Sequence, residues 1–383
     1  MATCDKPSRR PGRPLFSSGP CAKIPGWRPK LLDTALIGRS HRSAEGRTRL
    51  QHAIALTREV LEVPPSHLVG IVPASDTGAI EMALWTMLGA RGVDVLYWES
   101  FGEQWARDIT EQLRLDDVRV FSAPYGELPE LRQVDCGRDV VFAWNGTTSG
   151  VRVPDAEWID AEREGLVICD ATSAVFAQSL DFAKLDVVTF SWQKALGGEA
   201  AHGMIVLSPR AIHRLQTHSP RWPVPKIFRL AAGGSLNAAV FEGETINTPS
   251  MLCVEDWIVA LGWAKRQGGL KSLIARADAN ARTIAEWVER TVWADHLARD
   301  AAARSNTSVC LTTRGGVEVA QSIARLLAAE GVAFDIAAHR DSPPGLRIWC
   351  GATVQNEDID ALMPWLDWAY GEAVQAGAEK RRA

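Results

Sequence analysis

Between about residue 45 and about residue 255 the chain alternates helical patterns with short, nearly uniform apolar runs, and this alternation restricts the fold more than any other feature. The runs are Leu68–Val72, Val93–Trp98, Val118–Phe121, Val140–Trp144, Leu166–Cys169, Val187–Phe190 and Gly203–Leu207. Each has the length and composition of a buried strand. Gly46–Leu61 reads as a helix ended by Pro64-Pro65, while Ile80–Leu88 and Gln104–Leu115 space their apolar residues as helices do. Asp76 is placed to cap the helix over Ile80–Leu88. Short apolar strands between helices predict an α/β fold, with a mostly parallel sheet covered on both faces. Ligands of such sheets bind at the carboxyl ends of the strands.

From Cys253 the pattern changes. A long helical region runs to about Thr291, followed by a strand at Thr307–Leu311, a helix at Val317–Glu330, strands at Val332–Ile336 and Leu346–Trp349, and a closing helix at Asp358–Val374. The expected organisation is a basic, proline-rich arm over 1–15, flexible or draped on the surface, a large domain over 16–255, and a smaller α+β domain over 256–383.

The 383 residues are 46% hydrophobic with a formal net charge of -4, which argues against a general nucleic-acid or membrane-surface binder. No apolar run approaches the length of a membrane span. Seven cysteines form no CxxC pair, and Cys169 and Cys310 lie in strand-like runs, as reduced core thiols of a cytoplasmic protein do. No metal site is expected. The fifteen tryptophans read mainly as core or interface anchors.

The chemistry centres on Ser191-Trp192-Gln193-Lys194-Ala195-Leu196-Gly197-Gly198, directly after the run Val187–Phe190. A lysine at a strand's carboxyl end, followed by glycines, can enter a cleft and condense with an aldehyde cofactor if its amine is kept neutral. Taken alone, Lys194 reads as a solvated charge. Asp170, in Cys169-Asp170-Ala171-Thr172-Ser173, ends another strand and precedes it. A carboxylate there can keep a pyridine nitrogen protonated, which makes the ring an electron sink. Alone, Asp170 reads as a turn cap, but the ordered pair is far less common than either residue. Ala74-Ser75-Asp76-Thr77-Gly78, between a strand and a helix, offers amides and hydroxyls to a phosphate, or simply caps the helix with Ser75 or Asp76. A carboxylate at position 76 suits a phosphate only if it points away or bonds the helix amides. Phe101, after Val93–Trp98, could stack on a flat ring or merely pack.

At these segments the sequence resembles the class V aminotransferases, of the aspartate-aminotransferase-like fold (fold type I), and most of all their phosphoserine aminotransferase branch. The resemblance also rests on Phe16-Ser17-Ser18-Gly19-Pro20, Ser40-His41-Arg42, Asn145-Gly146-Thr147-Thr148-Ser149-Gly150, Asn247-Thr248-Pro249 and Gly345-Leu346-Arg347. It implies a pyridoxal 5′-phosphate enzyme exchanging an amino group between 3-phosphoserine and 2-oxoglutarate, in a cytoplasmic route to serine. Lys194 would carry the cofactor and shuttle a proton, and Asp170 would pair with the ring nitrogen. Phe101 would stack on the ring, Thr147 would bond near its phenolic oxygen, and Ser75, Asp76, Thr77 and Gln193 would surround its phosphate. Asn247 and Thr248 would reach that phosphate from a second subunit, which makes the active unit a homodimer. Arg347 would clamp the substrate α-carboxylate, while His41, Arg42, His339 and Arg340 would hold its phosphate or the distal carboxylate of glutamate. Many relatives carry an arginine at the position of Thr77, which leaves substrate preference less firmly implied than cofactor use. Alanine–glyoxylate or serine–pyruvate transfer and a silent binding homologue are the competing readings, and relatives also act in vitamin B6 synthesis. Two His-Arg pairs favour a doubly anionic substrate over a small neutral one.

Overall fold

The computed structural model describes residues 5–380. Helix α1 (Ala44–Val60) starts at Ser43, whose hydroxyl accepts from the Gly46 amide at 3.1 Å, and it buries Leu50, Ala53, Ile54 and Thr57. There follow β1 (Leu68–Pro73), α2 (Ser75–Met87), β2 (Val93–Tyr97), α3 (Ser100–Arg107), β3 (Val118–Ser122) and β4 (Asp139–Ala143). After the small β5–β6 pair (Asn145–Gly146 and Val151–Arg152) come β7 (Val167–Asp170), β8 (Val187–Ser191), β9 (His202–Leu207) and α4 (Pro209–Thr217). A short hairpin of β10 (Ala231–Ala232) and β11 (Ser235–Leu236) precedes α5 (Met251–Arg266) and α6 (Gly269–Arg290). The chain closes with β12 (Ala294–His296), β13 (Ser308–Thr313), α7 (Gly316–Ala329), β14 (Gly345–Trp349) and α8 (Asn356–Lys380).

The large sheet has the order β1-β9-β8-β7-β4-β2-β3, and only β9 runs against the rest. Both faces are covered, which is why its strands read as apolar runs rather than as alternating patterns. Val140 and Phe142 enter one core and Val141 the other, and Val167 and Cys169 likewise face away from Ile168. The two strands that end in Asp170 and Ser191 lie side by side at the centre, so the loops after them open on the same edge. The second sheet, β12-β13-β14, is antiparallel and lies against α7.

Several expected elements differ. The helical region expected over 253–291 is two helices, broken at Gly268 and Gly269, both of which adopt positive φ. The segment expected as a helix over 104–115 begins earlier, at Ser100, and ends in a π-type turn, Asp108–Gln112. Val332–Ile336 is not a strand. Asp335 has φ +58°, which breaks extended pairing and leaves single bridges from Phe334 to Leu15 and from Ala337 to Leu346. Neither Ser75 nor Asp76 caps α2: the cap position is Ala74, and Ala74 and Ser75 both have positive φ.

The arm crosses the smaller unit. Lys6 and Arg10 pair with Glu330, Arg9 with Asp360, and the amide of Gly12 donates to Asp358 at 2.6 Å. Leu15 then bridges Phe334, and the Trp349 amide donates to the Phe16 carbonyl. No described helix is long and apolar enough to cross a membrane.

Candidate active site

A cavity of about 320 Å³ opens at the carboxyl edge of the large sheet. Ser75, Asp76, Thr77, Phe101, Thr147, Asp170, Gln193 and Lys194 all line it. Lys194 follows β8, and its Nζ donates to the carbonyl of Ser18 beneath Gly19. Burial lowers the pKa of its amine; Arg347 adds to the effect, while Cys21 and Asp170 oppose it. The amine also lies 5.7 Å from the centroid of the Trp349 ring.

Asp170 ends β7 and is 9% exposed. Its Oδ1 accepts from the Thr172 amide at 3.0 Å and its Oδ2 from Trp105 Nε1 at 3.2 Å. Trp105 went unnoticed in the sequence, although it stands four residues after Phe101 on α3 and so on the same face of that helix. Helix α3 is in turn fixed by Glu99: Oε1 accepts from the Gly102 amide at 2.9 Å, and Oε2 from the Thr148 hydroxyl at 2.7 Å. Glu99 is buried, which pushes its carboxyl up despite those donors.

The turn into α2 is built for close approach. A Cβ on Gly78 would meet the Pro73 carbonyl at 2.2 Å, so only glycine fits there. Thr77 is exposed, Ser75 half-buried and Asp76 buried. Asp76 does not bond the helix amides; it faces Asp170, with Thr172 and Thr189 beside it.

Arg347 projects from β14, close enough to Lys194 and Cys21 to alter both. Its Nε has no protein partner, nor do the buried Thr147 Oγ1 and Gln193 Oε1. Buried polar atoms are rarely left unpaired. Three orphans around one amine fit a ligand with polar groups on several edges, as a phosphorylated pyridine aldehyde bound with an amino acid has. His339 packs against Phe101 with ring centroids 5.8 Å apart, and burial lowers its pKa, with Arg347 adding to the effect. Arg340, on the same loop, points to solvent, 84% exposed.

The residues lining the cavity include none of the expected substrate-binding residues, His41, Arg42, His339, Arg340 and Arg347, and neither Asn247 nor Thr248. His41 is buried beside the start of α1, and Arg42 is exposed. Asn247 and Thr248 are exposed on the segment before α5. That segment is held by His202, whose Nε2 accepts from the Ser250 amide at 3.1 Å. The His202 ring packs tilted against Trp192 with centroids 4.8 Å apart, and burial pushes its pKa down to about 4, so it stays a neutral acceptor. His202 was also missed, because nothing in its sequence neighbourhood points to residue 250.

Solved structures share this architecture. A phosphoserine aminotransferase from Cytophaga hutchinsonii superposes with a TM-score of 0.80 at 20% identity, covering 92% of this chain and 97% of that one. An alanine–glyoxylate aminotransferase from Nostoc sp. gives 0.77 at 21% identity, over 95% of this chain and 97% of its own. The fold, with a lysine and a carboxylate ending neighbouring strands, is that of the fold-type-I aminotransferases. No family model matches the chain. A phosphoserine aminotransferase of Methanosarcina mazei is 57% identical over 365 residues, which is 95% of this chain and 99% of that protein. The chain belongs to the phosphoserine aminotransferase family.

Proposed function

We propose that this aminotransferase exchanges an amino group between 3-phospho-L-serine and 2-oxoglutarate, with pyridoxal 5′-phosphate held on Lys194. The observation that carries the reading is the pairing of a neutral-leaning amine, Lys194, with a doubly braced carboxylate, Asp170, across one cavity. The cofactor, when bound, supplies an electron sink for the electron pair left at the substrate Cα. Asp170 keeps a proton on the ring nitrogen. Lys194 Nζ takes the proton from Cα and returns it on the far side of the transfer. Phe101 offers its face to the ring, and Thr147 Oγ1 and Gln193 Oε1 meet polar edges. The turn at Ser75, Asp76 and Thr77, with the amides at the start of α2, takes the phosphate. Arg347 clamps the α-carboxylate, for which its planar fork is suited.

The exposed Asn247, Thr248 and Arg42, with the adjoining His41, serve the active site of a second copy, so the working unit is a homodimer. On the substrate side Arg340 adds a charge and His339, whose pKa burial lowers, adds a hydrogen-bonding ring. Residues 16–255 form the cofactor-holding unit and 256–383 the smaller one.

A coupled assay with 3-phosphoserine, alanine and serine as donors tests the substrate. Phosphoserine should dominate, and Arg42→Ala should weaken its use far more than it weakens cofactor retention. Equal turnover of phosphoserine and alanine by the parent protein rules out this substrate assignment.

A further inference from the structure

Asp76 is a misfit for the phosphate-binding turn in which it sits. It is 6% exposed, lines the cavity, and leaves Oδ1 without a donor. Its side chain faces Asp170 across the floor of the site, with Thr172 and Thr189 beside it. Thr189 is the register partner of Asp170 on β8, so two carboxylates and two hydroxyls are packed where the two central strands end. Two ionised carboxylates this close and this buried repel each other strongly, and such pairs hold one proton between them.

Which of the two carries the proton follows from their other partners. Asp170 already accepts from the Thr172 amide and from Trp105 Nε1, so each of its oxygens has a fixed donor. Asp76 has no fixed amide or indole donor: its Oδ1 is unpartnered, and only the rotatable hydroxyls of Thr172 and Thr189 lie beside the carboxyl. We propose that Asp76 is a neutral, proton-donating positioning residue that bonds to Asp170, so that a single negative charge faces the ring nitrogen. The inference rests on the aminotransferase reading only for the identity of that nitrogen. Burial and the nearby Asp170 push the Asp76 carboxyl well above the usual carboxylate range, in keeping with the assignment. The other titratable groups around the pair are Glu99, itself raised by burial, the amine of Lys194, and the thiol of Cys169 behind β7. None of them offers Asp76 a fixed cation at contact distance. The arrangement also explains why a carboxylate is tolerated near a phosphate: without charge it repels nothing.

Two measurements test the proposal. The first uses cofactor-free protein, so it does not depend on what binds. A buried acid that keeps its proton in the fold gives stability that declines as pH rises above the ordinary aspartate pKa, because the unfolded chain then releases a proton that the native state retains. The thermal midpoint of the parent should therefore fall steadily relative to that of Asp76→Asn between about pH 5 and 8. A constant difference over that range means that Asp76 ionises like an ordinary carboxylate, and the proposal fails. The second measurement is the affinity for pyridoxal phosphate, read by tryptophan fluorescence. Asp76→Ala, which removes the donor, should weaken binding about tenfold more than Asp76→Asn, which keeps one. Equal loss in both variants, or a greater loss in Asp76→Asn, overturns it. Failure of the aminotransferase reading shows separately, as a Lys194→Ala protein that keeps the parent's yellow absorbance.

Discussion

Lys194 can capture an aldehyde only while its nitrogen keeps a lone pair. Burial, helped by Arg347, lowers its pKa below the ordinary lysine value of 10.5. The cofactor-free protein should therefore take up pyridoxal phosphate faster as pH rises, with a midpoint below 10.5, measured by stopped-flow absorbance. A midpoint at the ordinary value means that the amine is solvated. Replacing Lys194 by alanine removes both the attachment and the proton carrier, so steady-state turnover should drop by at least about a hundredfold. Arg347→Ala should raise KM for the amino donor about tenfold or more, since a charged bond to the carboxylate is lost. The positions of Lys194 and Asp170 beside one cavity were legible in the sequence, because each follows an apolar run that forms a central strand. Trp105 and Glu99 were not, because each acts through a partner brought near only by the fold: Asp170 for Trp105, Thr148 for Glu99. The direction of Asp76 was unreadable for the same reason.

At the scale of elements, the parallel strands were read correctly because burial on both faces leaves a strong apolar signal. Val332–Ile336 has the same composition, yet it forms only bridges, because its backbone bonds go to the arm and to β14: the Phe334 amide donates to Pro14 and the Arg347 amide to Ile336. Short pairs such as β5–β6 and β12 carry too few residues to give a periodic pattern. The far edge of the large sheet depends on charge. Asp94 of β2 is fully buried and accepts from Arg119 on β3, from Arg138 and from the Asp135 amide at 2.9 Å. Burial alone would raise its pKa, but those donors hold it below the ordinary carboxylate value. Its folded pKa is thus depressed, and the stability it adds is present above the unfolded pKa and lost as pH falls through the folded one. Asp94→Ala removes the shared acceptor of the half-exposed Arg119, of Arg138, which keeps Asp117, and of the Asp135 amide, and should cost about 2 kcal/mol, read from the denaturant midpoint at neutral pH. An unchanged midpoint contradicts this account of the edge.

For the whole molecule, the exposed Asn247 and Thr248 matter most, since they do not line the cavity. If they complete a neighbour's site, two defective proteins can repair each other. Lys194→Ala mixed with Asn247→Ala, each nearly inactive alone, should regain activity after subunit exchange, because one hybrid site is then intact. Mixtures no more active than the sum of their parts, with a monomer on size-exclusion chromatography, overturn the shared site. This could be anticipated from motif resemblance but not from composition.

Residues 12–23 form a continuous ribbon that starts on α8 at Asp358, passes β14 through the Phe16 carbonyl, reaches the reactive amine at Ser18, and ends where the Cys21 amide bonds the Gln193 carbonyl. This strap ties the last helix to the surroundings of Lys194, because its Ser18 carbonyl accepts from Lys194 Nζ. Cutting the anchor by Asp358→Ala should therefore loosen the hold of the Ser18 carbonyl on Lys194 Nζ, at a distance from the residue replaced.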